Sequence, residues 1–506
     1  MSSILIFLFL IFYLILAARR LDWAVMFLIA ALPTYLIRFT VLGLPMTLLE
    51  AMILVSFAVW LFRNWKYIFK NLKLKIINCF KIKNLKFKIN NRYPFDIEIV
   101  LLLIISFTAA AVSGFSDSAL GIWKAYFFEP VLVFILVLNI YTKRTKKERK
   151  KRMGTKLSFG YPKLSFVLWS LAISALVVSV LAIYQKFTGI WIFNDFWANE
   201  ATRRVTSFFG YPNALGLYLG PLALVLTGWL YNKISNFQFP ISKKFPISNF
   251  QFLKIIFVSL IIILSVLSIY FAKSEGALIG VLAGFIIFGL LANKKLRWIT
   301  IVLVVIIGLG ISLHQPARDY AFKKITLQDL SGEIRKQQWR ETWQTMTASP
   351  IRFIFGTGLA NYKSVIKPYH QEGIFFNKEN DPDFRRKIVI FDEKYKAEHW
   401  QPVEMYLYPH NILLNFWTEL GLAGMLLFIW IIGKYFVMGV GCWVLGGRYG
   451  YLILGLISAM VVIAVHGLVD VPYFKNDLAI MFWLLAAMIG IIDLEFKNKD
   501  KQNYEN

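Results

Sequence analysis

Apolar residues run through this chain in blocks of near twenty, separated by short polar stretches. Thirteen such blocks stand out, at 4–18, 21–39, 44–62, 97–113, 119–141, 164–185, 207–231, 255–272, 276–292, 297–313, 411–433, 449–470 and 474–493. A helix of that length covers roughly 30 Å, the thickness of a bilayer's hydrocarbon core. The pattern therefore predicts an all-α polytopic membrane bundle of about 12–13 transmembrane helices. The first block is short and lacks a small-residue cleavage site, so it reads as a retained helix rather than a signal peptide.

One long stretch breaks the pattern. Residues Gln315 to Leu407 form a polar insert that runs straight into Pro409-His410-Asn411, at the mouth of the next apolar block. The chain thus divides into N-terminal helices (1–314), a large loop (315–407) and C-terminal helices with a short tail (408–506). Ionisable groups in or beside a membrane are costly, and a cluster of them at one face marks a working site.

Composition agrees with the membrane reading. The chain has 506 residues, 58% hydrophobic and 17% aromatic, with a mean hydropathy of +0.59. That excludes an ordinary soluble domain. The net charge of +27 raises the possibility of nucleic acid, but its distribution argues against that partner. Lys and Arg crowd into 63–92 and 143–163, with smaller groups at Lys243-Lys244, Lys294-Lys295-Arg297 and Lys497 to Lys501. With the blocks above as spans, every group falls on one side, which the positive-inside rule makes cytoplasmic. These groups also suit anionic lipid headgroups. The insert carries fifteen Lys/Arg against twelve Asp/Glu and falls on the opposite, external face. The two cysteines, Cys79 and Cys442, both map to the cytoplasmic side, so no disulfide is expected in the insert. The near-duplicate Ile234-Ser-Asn-Phe-Gln-Phe239 and Ile247-Ser-Asn-Phe-Gln-Phe252 reads as linker without function.

Polar groups from distant segments converge on the external face: Arg203 and Arg204, Lys273 and Glu275, Arg335, Arg340 and Arg352, His410, and Asp470. Asn411 is placed to cap the helix that follows. His410, Asn415 and Glu419 are expected to share a helix face. Gly421 and Gly424 would admit a close neighbour.

The segment Tyr408-Pro-His410-Asn411, with Glu419-Leu-Gly421-Leu-Ala-Gly424 beyond it, resembles the O-antigen ligase and O-antigen polymerase superfamily. Members show His-Asn, nine residues, then Gly-x-x-Gly, at the end of a large external loop. Arg204-Val-Thr-Ser-Phe-Phe-Gly210-Tyr-Pro212-Asn213 is similar to the family's arginine followed by Pro-Asn at a helix start. Arg335-Lys-Gln-Gln-Trp339, Pro350 and Phe355-Gly356-Thr-Gly358 are similar to its loop pattern. The resemblance covers about residues 200–490. It departs at Ser274-Glu275-Gly276, where the family often has Ser-Arg-Gly; Lys273 is the candidate substitute for that positive charge.

The resemblance implies a glycosyltransferase of the cytoplasmic membrane that moves a glycan from an undecaprenyl-diphosphate carrier to an acceptor hydroxyl on the external face. Its partners would be that lipid-linked donor, a glycan, lipid or protein acceptor, and membrane lipids. A leaving diphosphate carries concentrated charge, which planar arginine forks bind bidentately. Arg204 and Arg335 are the candidates for that work, with Arg340, Lys273 and Arg203 beside them. His410 would take the acceptor's proton. Asn213, Asn411, Glu419 and Asp470 complete the expected site. Direct displacement would invert the anomeric centre. No metal or other cofactor is expected, and Asp381-Pro-Asp383 reads as a solvated turn. Two readings stay open: a polymerase that uses a second lipid-linked glycan as acceptor, and a transporter of small anions or glycolipid. Apart from Lys124 and Glu129, the middles of the spans are nearly free of the charge a transporter needs.

Overall fold

The computed structural model describes residues 3–41, 43–80, 94–142, 164–235, 249–390, 392–447 and 449–504. All thirteen apolar blocks contain helix. Among the described residues, nine helices are long and apolar enough to cross a membrane, and the chain is an all-α polytopic bundle. The basic stretches 81–92 and 143–163 and the pair Lys243-Lys244 lie outside the described residues, as does most of the near-duplicate linker.

The block at 21–39 is not a single span. Its helix stops at Ala30 and passes through a 3-10 turn, Leu32–Leu36, into a small hairpin of Arg38–Val41 and Leu44–Thr47. The strands pair antiparallel, with Arg38 opposite Thr47 and Val41 opposite Leu44. Pro33 supplies no N–H and fits only the start of the turn. The next helix therefore begins at Leu48 rather than at 44, and runs to Phe80.

Burial sorts the spans into centre and rim. The most apolar 18-residue stretch is 89% buried in Asn476–Lys497 and 83% buried in Pro212–Ser235, whereas none of it is buried in Lys294–Leu313. Pro212–Ser235 packs on Gly450–His466, Asn249–Ala272 and Glu275–Ala292. Backbones touch at one crossing: a Cβ on Gly228 would lie 2.5 Å from the Gly455 Cα, and one on Gly455 would lie 2.7 Å from the Gly228 Cα. Small residues at such crossings are how helices associate without a hydrophobic drive between them. Two buried carboxylates are answered by lysines from other segments, Glu50 by Lys124 at 2.5 Å and Glu98 by Lys434 at 2.7 Å.

The insert folds as short helices over one end of this bundle. They are Gln315–Ile325, Leu330–Thr347, Pro350–Phe355, Tyr362–Ile366, Phe384–Val389 and Glu393–His399. A two-stranded ladder joins Gly373–Phe375 to Trp400–Pro402. Its longest helix, Leu330–Thr347, and the short helix Pro350–Phe355 both rest on the membrane helix Ile412–Val444.

Candidate functional site

The helix Leu330–Thr347 sets the first half of the site. Arg335 and Gln338 lie three residues apart and so share a face. The next residue, Trp339, donates from its indole N–H to the carbonyl of Pro409 at 2.9 Å, which pins the turn holding His410. His410 has a left-handed backbone, φ +45°, a conformation non-glycine residues adopt only where surroundings hold them. Those surroundings are visible on its other side. Asn411 Oδ1 accepts from the backbone N–H groups of Leu413 and Leu414, and its Nδ2 donates to the carbonyl of Leu468. The N–H of Ile412 donates to Gly467. Asn411 is thus the helix cap its side chain suggests, and it also ties the helix start to the turn at 467–470.

His410 and Arg335 then line one cavity of about 180 Å³, with Leu330, Ser331, Ile334, Gln338 and Tyr406. Gln338 Oε1 lies 3.0 Å from His410 Nδ1. An amide oxygen only accepts, so Nδ1 carries the proton and Nε2 keeps its lone pair. The rings of Tyr406 and Tyr408 sit 4.8 Å from the imidazole. Burial pulls the His410 pKa below the ordinary histidine value; Asp470 opposes that pull and Arg335 adds to it. The ring is accordingly a neutral base at neutral pH. Arg335 Nε donates to the carbonyl of Val469 at 3.1 Å, and Nη1 donates to Ser331 Oγ at 2.7 Å.

A second group reaches the same turn from the loop before Pro212–Ser235. Arg204 Nε donates to the carbonyl of Ala272 at 2.9 Å, and Nη2 donates to the Lys273 carbonyl and to Asn213 Oδ1. Asn213 Nδ2 in turn donates to Asp470 Oδ2 at 3.3 Å. Arg204, Asn213 and Asp470 therefore form one line that ends beside Val469, the residue Arg335 holds. Asp470 is buried and also accepts from the N–H of Val471.

Other expected site residues sit elsewhere. Arg203 donates to the carbonyls of Ala198 and Lys186 and braces its own loop. Lys273 is exposed, and its Nζ donates to the Thr202 carbonyl. Arg340 is exposed on the helix that carries Arg335 and is not among the cavity-lining residues. Glu419 is buried and accepts from the N–H of Ala360 at 2.9 Å, so it holds the Gly-x-Gly turn. His410 precedes the helix cap and does not share the helix face of Asn415 and Glu419. Glu275 accepts from Tyr320 OH at 2.9 Å and pairs with Lys324 at 2.6 Å. Asp381 accepts from Lys387 Nζ, Tyr395 OH and the N–H of Asp383. Hydrogen bonds from Lys387 and Tyr395 hold its carboxyl down to about 2.

Of the two glycines of the Gly-x-x-Gly motif, Gly421 meets the insert, whereas a Cβ on Gly424 would meet Leu420 of its own helix. Gly421 has φ +75° and ψ −177°, and a Cβ there would lie 2.3 Å from the carbonyl oxygen of Ile354. A Cβ on Gly356 would lie 2.5 Å from the Thr418 carbonyl oxygen. The two backbones interlock, and only glycine fits on either side. Gln338 and Tyr406 were not singled out in the sequence. The available signal was spacing: Gln338 is one turn from Arg335, and Tyr406 is four residues before His410.

Residues 260–429 match the family described as O-antigen ligase. No curated protein matches the chain. The matched stretch contains Arg335, Gln338, Tyr406 and His410, while Arg204, Asn213 and Asp470 fall outside it. The likeness to O-antigen ligases supports a membrane glycan-processing function for this multi-pass chain.

Proposed function

We propose that the chain is a membrane glycosyltransferase of the O-antigen ligase type. It transfers a glycan from an undecaprenyl-diphosphate carrier to an acceptor hydroxyl. The insert 315–407 and the site beneath it lie on the external face of the cytoplasmic membrane. The observation that carries this reading is the sharing of one cavity by a half-buried imidazole, held at Nδ1 by Gln338, and the Arg335 guanidinium.

The chemistry follows from that pairing. The acceptor oxygen attacks the anomeric carbon as the bond from that carbon to the phosphate oxygen breaks, and the proton passes to His410 Nε2. A base that stays neutral at the working pH is suited to this step. The leaving diphosphate keeps the electron pair of the broken bond, and Arg335 and Arg204 stabilise its charge. Donors fixed where charge develops are usually the largest contribution to such a rate. A single displacement inverts the anomeric centre. Gln338 positions the base, and Asn213 and Asp470 position Arg204 relative to the 467–470 turn.

The test uses the purified chain in lipid vesicles with a lipid-diphosphate-linked glycan and acceptor, and follows release of undecaprenyl diphosphate. His410→Ala is expected to lower turnover by about 10²- to 10⁴-fold, the usual contribution of a general base, while donor binding persists. Arg335→Ala is expected to weaken both, since it meets charge present in the ground state and increased at the transition state. Near-normal transfer by His410→Ala overturns the proposal. The product distinguishes a ligase from a polymerase: single transfer to a non-polymeric acceptor, or a ladder of lengthened lipid-linked glycan.

A further inference from the structure

Lys475 is held in an unusual way. It follows the 467–470 turn and immediately precedes the buried helix Asn476–Tyr504. Its ammonium lies 5.0 Å from the ring centre of Tyr211, 5.1 Å from Phe209 and 5.5 Å from Tyr35. Those rings come from two remote segments, the Phe208-Phe-Gly-Tyr-Pro-Asn213 motif and the turn before the N-terminal hairpin. Aromatic faces favour a cation without neutralising it and without accepting its N–H bonds as an oxygen would. Among the described residues Nζ makes no hydrogen bond and no ion pair. The carboxylates that act on it, Asp477 and Asp470, do so at longer range.

Three N–H donors thus have no protein oxygen. Buried donors are nearly always satisfied, so a half-buried ammonium in this state calls for an acceptor from outside the chain. Arg204 and Arg335 differ: each spends Nε and one terminal nitrogen on protein oxygens. Lys475 also belongs to the same neighbourhood. The Tyr211 side chain neighbours that of Tyr408, whose ring packs on His410. Asp470, which acts on Lys475, acts on His410 too.

We propose that Lys475, caged by Tyr35, Phe209 and Tyr211, is a further binding contact for phosphate oxygens, and that it grips the diphosphate of the donor lipid. This rests on the glycosyltransferase reading and deepens it. The cage makes the N-terminal third of the chain, through Tyr35, part of the donor site.

The experiment measures binding rather than turnover, on the full chain in nanodiscs. Inorganic diphosphate and undecaprenyl diphosphate are each titrated into wild type, Lys475→Met, Lys475→Arg and Arg335→Ala. Lys475→Met should weaken both ligands by about tenfold or more, the scale of a charge-assisted contact, and Lys475→Arg should keep most of the affinity. A lysine that only balances Asp470 and Asp477 would lower thermal stability in the methionine variant without changing diphosphate affinity. Lys475→Met within about twofold of wild type for inorganic diphosphate overturns the proposal, whatever it does to the lipid form. In that case a loss in Arg335→Ala leaves the transferase reading standing. Wild type that binds neither ligand sinks both. If the methionine variant does not fold, wild type alone decides. Inorganic diphosphate should slow acylation of Lys475 by an amine-reactive probe, read by mass spectrometry, and absence of protection overturns the proposal.

Discussion

Gln338→Leu isolates the contact that holds His410 for its proposed role as the base. Leucine keeps the bulk of the side chain but removes the oxygen that lies 3.0 Å from Nδ1. The imidazole is half-buried against the buried Gln338 side chain, and no other hydrogen bond to its ring is seen among the described residues. The variant therefore either strands the Nδ1–H against the apolar leucine or lets the ring turn away or change tautomer. A buried donor without a partner costs about 1–3 kcal/mol. At about 1.36 kcal/mol per tenfold in rate, that is a loss of roughly 5- to 150-fold if the cost falls on the reactive geometry.

The assay is the vesicle transfer reaction, with kcat/KM measured for the acceptor and donor binding measured separately. Donor affinity should hold, because Gln338 touches His410 and not Arg335, the proposed diphosphate contact. Gln338→Glu supplies the matching control: a carboxylate restores the acceptor, and its charge favours the imidazolium, so activity should return only at higher pH. Transfer by Gln338→Leu within about twofold of wild type, with an unchanged pH profile, would refute the reasoning, since a positioning contact worth 1–3 kcal/mol cannot vanish unnoticed.

Further outcomes follow from the same geometry. Burial lowers the His410 pKa, so the acid limb of kcat/KM should lie below the ordinary histidine value of 6.5. Arg335→Ala removes a lowering influence and should move that limb up in pH, whereas Asp470→Asn removes a raising one and should move it down; parallel shifts would contradict the assignment. Folding carries the same sign: below the unfolded histidine's pKa the unfolded chain binds the proton first, so His410's contribution to stability falls as pH drops. Gly421→Ala should cost at least about 2 kcal/mol in thermal unfolding, from a backbone region nearly closed to other residues plus a backbone clash. Gly433→Ala, where nothing lies within 4 Å of the added carbon, should be near neutral. Single cysteines at Lys146 and Glu379 should label from opposite sides of the membrane, and labelling of both from outside would overturn the proposed topology.

The helices were legible because lipid leaves few choices: a spanning backbone must satisfy its own hydrogen bonds, so long apolar runs become helix. The block at 21–39 shows where that logic stops. Hydropathy counts apolar side chains and is blind to direction, so a helix, a turn at Pro33 and a hairpin strand summed to one span. The site was legible where one residue declares its own geometry. Asn411 had to cap a helix, and that fixed His410 beside it. Arg203, Lys273 and Arg340 carried the right charge on the expected face. Which carbonyls claim Arg203 and Lys273 depends on chain folding around Ala198, Lys186 and Thr202, and Arg340 is left exposed on its helix. Gln338 was illegible for a related reason: its partner lies 72 residues away.

Glu275 joins these two limits. Taken alone, a glutamate where the resembling family has arginine leaves a missing positive charge, and the neighbouring Lys273 is the natural substitute. The structure turns Lys273 away to Thr202 and brings Lys324 of the insert to Glu275 at 2.6 Å, with Asp329 holding the same ammonium at 2.9 Å. Burial pulls the Lys324 pKa down, but its hydrogen bonds to Asp329 and Glu275 outweigh that pull and leave it raised, so the ammonium stays charged. The positive charge at this corner is therefore supplied 49 residues further along the chain. It arrives with the first helix of the insert and fastens that helix to the start of Glu275–Ala292. A substitution that looks like a lost ligand is, in this fold, one half of a clamp between the insert and the bundle. Reading it required the partner's position, which no local pattern encodes.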